Sequence, residues 1–149
     1  MGRCMLSDGA GRADGTGMNA PRTALVVDDS SVFRSYLRRT LTQLGYDVHE
    51  SANGREALEH IERCGPVDLA VVDWNMPVMD GLVFVQVARA ERGNDDMVVL
   101  MVSSESDPDA IAHALVAGAD GYAVKPITPE TLSDEVEIAR AFRLGICAR

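Results

Sequence analysis

The sequence predicts one α/β domain: a doubly wound, five-stranded parallel sheet of order 2-1-3-4-5, flanked by five helices. Three observations carry that expectation. Strand-like and helix-like segments alternate five times from residue 23 onward, with short connections. The segments ALVV at 24–27, LAVV at 69–72 and VVLMV at 98–102 are unbroken apolar runs, as required where helices cover both faces of a sheet. Right-handed crossovers with one reversal of winding then lead to the stated order.

Each element has its own signals. The first strand covers 23–27, and Ser30 or Ser31 caps a helix whose apolar face is Phe33, Leu37, Leu41 and Leu44, stopped by Gly45. A shorter, more polar strand at 46–51 suits a position near an edge. Asn53-Gly54 opens the second helix, with Ala57, Leu58, Ile61 and Cys64 inward, and Gly65-Pro66 ends it. The third strand covers 67–73, and the third helix runs from Gly81 to about Arg92, burying Val83, Phe84, Val87 and Ala88. The fourth strand covers 97–102, and its helix covers 108–117, closed by Gly118. The fifth strand covers 121–124, and a last helix runs from Pro129 to about Leu144 with Leu132, Val136, Ala139 and Phe142 along one side.

Residues 1–22 are rich in Gly and small polar residues without an apolar period, and read as a flexible tail; 23–146 form the domain and 147–149 a short tail. A net charge of −9 argues against nucleic-acid binding by simple electrostatics. No apolar stretch approaches a membrane span, and the leader lacks the apolar core of a signal peptide. Cys4, Cys64 and Cys147 are far apart and read as reduced thiols, consistent with a cytoplasmic protein.

The strand ends carry the chemistry. Asp28-Asp29 follows the first strand, Asp73 ends the third, Ser103 and Ser104 the fourth, and Lys125 the fifth. An open α/β sheet binds ligands outside its carboxyl edge where the winding reverses, here between strands one and three. Three carboxylates gathered there repel, and one ammonium does not neutralise them. A hard divalent cation does, Mg²⁺ or Mn²⁺, held by Asp29, Asp73 and the Asn75 backbone carbonyl, with Asp28 on a coordinated water. Asp73 is then the candidate nucleophile toward a phosphoryl group, with Lys125 and Ser103 compensating its spread charge. Each residue alone has a plainer reading: Asp28-Asp29 as helix caps, Asp73 as a turn cap, Ser103 as loop with Ser104 its rival, Lys125 as solvated surface. Their joint fall at four strand ends favours the site. His49, His60 and His113 are scattered and receive no catalytic role.

The combination of VVDDSSVFRSYLRRTL, SANGREAL, DWNMPVMDG, LMVSSES and GADGYAVKP resembles the receiver domain of two-component response regulators, most closely its stand-alone chemotaxis members, over 23 to about 146. The resemblance implies a flavodoxin-like fold and a phosphoacceptor, Asp73, fed by a phosphohistidine on a sensor histidine kinase. It implies that Ser103 and Lys125 follow the phosphoryl group, that Lys125-Pro126 is a cis peptide, and that Tyr122 is the aromatic that moves with the hydroxyl. Asn75 and Glu105 match positions that tune loss of phosphate to water. Departures are small: Ser103 where Thr is commoner, Ser104 where Ala or Gly is usual, and Ile127 where an aromatic is frequent. With few residues after the last helix, the expected output is a protein–protein contact through helix four, strand five and helix five, with no separate substrate turned over. Rival readings are a relay passing phosphate to another histidine protein, a scaffold that keeps only the fold, and an aspartyl-phosphate hydrolase of the haloacid dehalogenase type. The last carries its nucleophile on the first strand and a substrate cap, and neither pattern is present here.

Overall fold

A computed structural model describes residues 22–91 and 93–145. The expectations for the two tails and for Arg92 as a helix end lie outside the described residues. Strands β1 (Arg22–Val27), β2 (Tyr46–Ser51), β3 (Leu69–Val72), β4 (Val98–Ser103) and β5 (Gly121–Val124) alternate with helices. These are α1 (Ser31–Gln43), α2 (Gly54–Cys64), α3 (Gly81–Ala90), α4 (Pro108–Ala117) and α5 (Pro129–Leu144). The sheet is parallel, in the order β2-β1-β3-β4-β5. Fold class and strand order are as the sequence predicts.

The central strands are buried on both faces, and their period-two alternation divides the core. Ala24, Val26, Leu69, Val71, Val98, Leu100 and Val102 join Leu37 and Leu41 of α1 and Leu132, Val136 and Ala139 of α5. Leu25, Val27, Ala70, Val72, Val99 and Met101 face the other way, against Ala57 and Ile61 of α2, Phe84, Val85 and Ala88 of α3, and Ala114 of α4. Helix starts are capped by side chains that satisfy otherwise unpaired amides: Ser30 accepts from Phe33 N, Asn53 from Glu56 N, Asp80 from Val83 N and Thr128 from Thr131 N.

Several local expectations are corrected. On α3 the inward stripe is Gly81, Phe84, Val85 and Ala88, and Val83 is exposed. That helix, GLVFVQVARA, is apolar nearly all round, so periodicity alone does not choose its face. On α5, Phe142 is 58% exposed. Arg143 takes the next inward position because its Nε has a buried acceptor, Asp120 Oδ1, at 2.9 Å. Leu44 is an exposed cap residue. Strands three and four lie at 69–72 and 98–103. Cys64 is half-buried at the end of α2, its Sγ 4.0 Å from His60 Nδ1, and the expectation for Cys4 and Cys147 lies outside the described residues. His49 and His60 are not scattered either, since adjacency of β2 and α2 brings their ring centroids to 5.0 Å.

Candidate functional site

Register places the acids. Val27 pairs with Val72 in the parallel ladder, so the next residues on each strand, Asp28 and Asp73, emerge side by side. The ladder runs one step further, with Asp73 N donating to Val27 O at 2.9 Å. Asp28 and Asp73 are 1% and 8% exposed, and Asp29 is exposed at the rim. One carboxylate oxygen from each of Asp28, Asp29 and Asp73 lies within 4.8 Å of the others. These three are the only group of this kind among the described residues.

Lys125 follows β5, whose Val124 pairs with Ser103 at the end of β4, and its backbone N donates to Ser103 O at 2.8 Å. Its Nζ is 3.2 Å from Asp28 Oδ2 and 3.7 Å from Asp73 Oδ1, and 4.2 Å from the centroid of the Phe33 ring. The ammonium is thus held between two carboxylates and an aromatic face, an arrangement favourable to a cation. The Lys125-Pro126 peptide is cis.

Burial, followed by the Asp28 charge, pushes the Asp73 carboxyl from its ordinary 3.8 up to about 6, against the pull of Lys125 and of Trp74 N. Trp74 N donates to Asp73 Oδ1 at 2.8 Å. An acid raised in this way carries charge that the protein leaves under-compensated. Clustered, partly buried carboxylate oxygens form a hard donor set, which fits Mg²⁺ or Mn²⁺ better than any soft metal.

Ser103 is fully buried, and its Oγ accepts from Glu105 N at 3.2 Å. Tyr122, half-buried, donates its hydroxyl to Glu105 O at 2.8 Å and meets Trp74 edge-on at 6.3 Å. Burial raises its phenol above the usual range. The structure therefore links Ser103, Glu105, Tyr122 and Trp74 in one chain of contacts ending at Asp73. Asn75 is exposed in the loop after Asp73. Ser104 is exposed, unlike Ser103.

Three supporting residues were not expected. Arg34 donates from Nη1 to Asp28 O at 2.6 Å and from Nε to Glu50 Oε1 at 3.1 Å, clamping α1 to the tips of β1 and β2. A cation in a helix's first turn opposes the helix dipole, and that is the sequence signal that could have marked it. Phe33, read as core, lies under the Lys125 ammonium. Gly81 has no room for a side chain, because a Cβ there would sit 2.1 Å from Asp73 O.

The chain is similar to known proteins over most of its length. The sequence profile of the response regulator receiver domain matches residues 24–137. The chain is 43% identical over 114 residues to a chemotaxis protein CheY homologue of Campylobacter jejuni, covering 76% of this chain and 88% of that one. It is 39% identical over 115 residues to chemotaxis protein CheY1 of Helicobacter pylori, covering 76% and 93%. The crystal structure of Vibrio cholerae chemotaxis protein CheY4 superposes with a TM-score of 0.75 at 36% identity, covering 79% of this chain and 98% of that one.

Proposed function

Because the chain belongs to the response regulator receiver family, we propose that it is a response regulator whose Asp73 accepts a phosphoryl group from a sensor histidine kinase. One observation carries the reading: three strand-tip carboxylates converge beside one ammonium, which lies 3.2 Å from Asp28 and 3.7 Å from Asp73. Receiver domains bind Mg²⁺ at such acidic clusters, and here Asp28, Asp29, Asp73 and the Asn75 carbonyl would hold Mg²⁺ or Mn²⁺. Bound there, the ion supplies charge compensation for the transferring group.

The chain's own residues do the rest. An Asp73 oxygen attacks phosphorus, the bond to the donor nitrogen breaks, and Asp73 becomes a mixed anhydride. Lys125, already 3.7 Å from Asp73, turns from Asp28 toward the new phosphoryl oxygens. The Ser103 hydroxyl donates to another oxygen and gives up its contact with Glu105 N. That shift passes to Tyr122 through Glu105, biasing two conformations of the surface formed by α4, β5 and α5. Output is phosphorylation-dependent binding of a protein target at that surface, in chemotaxis or another motility pathway, in the cytoplasm. Asn75 and Glu105 set how long the phosphoryl group survives. No separate substrate is turned over.

The test is labelling by acetyl phosphate with Mg²⁺. One phosphoryl group should map to the Asp73 peptide, and Asp73→Asn or a chelator should abolish it. Label persisting on another residue in the Asn variant would refute the assignment.

A further inference from the structure

Two histidines and an aspartate meet at the β2 end of the sheet. β2 is an end strand, and its alternation sends Tyr46 and Val48 into the core shared with Leu37 and Leu41 of α1. Asp47 and His49 therefore face the other way, toward α2, which packs against β2 and β1. His60 lies on α2 one helical turn before Cys64, whose Sγ is 4.0 Å from His60 Nδ1. Asp47, His49 and His60 are all half-buried beside an edge strand, within reach of ions from solvent.

Their spacings are those found around a tetrahedral metal ion. Two imidazoles bound to one zinc-sized ion through nitrogens at about 2.0–2.1 Å hold their ring centroids about 5 Å apart. The His49 and His60 centroids are 5.0 Å apart, with the ring planes tilted by 42° rather than stacked. Two donor atoms on such an ion lie about 3.4 Å from each other. His49 Nε2 and Asp47 Oδ2 are 3.6 Å apart. Ring packing alone accounts for the first spacing and an ion pair for the second; a shared ion accounts for both. The set is not closed, because the three donor atoms do not all come within 4.8 Å of one another. With Asp47 and His49 already in place, closure takes a turn of the half-buried His60 ring. His60 Nε2 is then its donor, since Nδ1 faces Cys64.

We propose that Asp47, His49 and His60 form a second cation site, which takes a divalent transition ion of the zinc class. Two imidazoles and a carboxylate suit zinc, and a water completes the four-coordinate shell. The all-oxygen set at Asp28, Asp29 and Asp73 suits magnesium instead, so the two sites select different ions. Zinc bound at the new site ties the edge strand to α2.

The full chain, held in saturating Mg²⁺, is to be titrated with Zn²⁺ by calorimetry. His49→Ala and His60→Ala should each weaken zinc binding at least roughly tenfold, the scale on which even outer-shell partners of a metal count. Asp47→Asn should weaken it in the same direction. His113→Ala, exposed on α4, should change nothing. To separate binding from folding, the unmutated chain is also read by nitrogen-15 resonances of its histidine rings. Those of His49 and His60 should shift together as zinc is added, while those of His113 stay. No zinc uptake, uptake that either alanine variant retains, or a shift in only one of the two rings overturns the proposal. Binding that Cys64→Ser abolishes and the two histidine variants leave intact marks a thiolate site, and overturns it as well.

Discussion

Asp73 is a group the fold holds against its own preference. Its carboxyl is raised from 3.8 to about 6, first by burial and then by Asp28, so between those values the folded chain binds more protons than the unfolded one. Stability of the metal-free protein therefore falls as pH rises through that window and stays lower above it. Asp73→Asn removes the charge and should stabilise the metal-free chain by about 1–3 kcal/mol near neutral pH. The gain should shrink toward nothing below the ordinary carboxylate range, where Asp73 is protonated in both states. Urea unfolding in chelator, run across that range, checks this; an Asn variant less stable at neutral pH would contradict it. The residue's burial follows from its place one step beyond a fully buried strand, which the sequence shows. The weight of Asp28 against it follows from the pairing of Val27 with Val72, which is a matter of register.

At the scale of elements, the loop from Asp73 to Gly81 shapes the site. Gly81 N donates to Trp74 O at 2.8 Å, closing the loop back on the strand tip. Val78 has φ +69, and Met79 N donates to Pro77 O at 2.7 Å, the signature of a tight γ-turn that a β-branched residue adopts at some strain. Gly81→Ala would put a methyl 2.1 Å from Asp73 O and 3.0 Å from Val72 Cγ1, both anchored in the sheet, so the backbone must move. We expect a loss of about 2–4 kcal/mol in stability together with weakened Mg²⁺ binding. Wild-type stability and Mg²⁺ affinity in this variant would contradict the close approach. Apolar runs and punctuating Gly, Pro and Asn suffice to read the elements and their order. They fail where a helix is apolar all round, as in α3, and where a buried polar partner far away in sequence overrides periodicity, as Asp120 does for Arg143. Phe33 and Arg34 illustrate the same limit: their neighbours Lys125 and Glu50 arrive from other strands.

Across the whole molecule, the polar strand ends collect at one edge of the sheet. Asp28, Asp73 and Lys125 gather at the carboxyl edge. The chain Ser103–Glu105–Tyr122–Trp74 runs from that edge toward β5 and α4. The candidate site residues were legible because four strand ends each carried a polar group. The distances that make them a site were not, since they depend on the register of five strands at once. Trp74 reports most directly on the central claim, that acids from β1 and β3 assemble a cation site around Asp73. Its amide already binds Asp73 Oδ1, and its ring meets Tyr122. Titrating the chain with Mg²⁺, and then beryllofluoride, should change Trp74 fluorescence in two saturable steps. Asp73→Asn should weaken the first and abolish the second. Emission that stays flat through saturating amounts of both, or that responds identically in the Asn variant, would contradict the account.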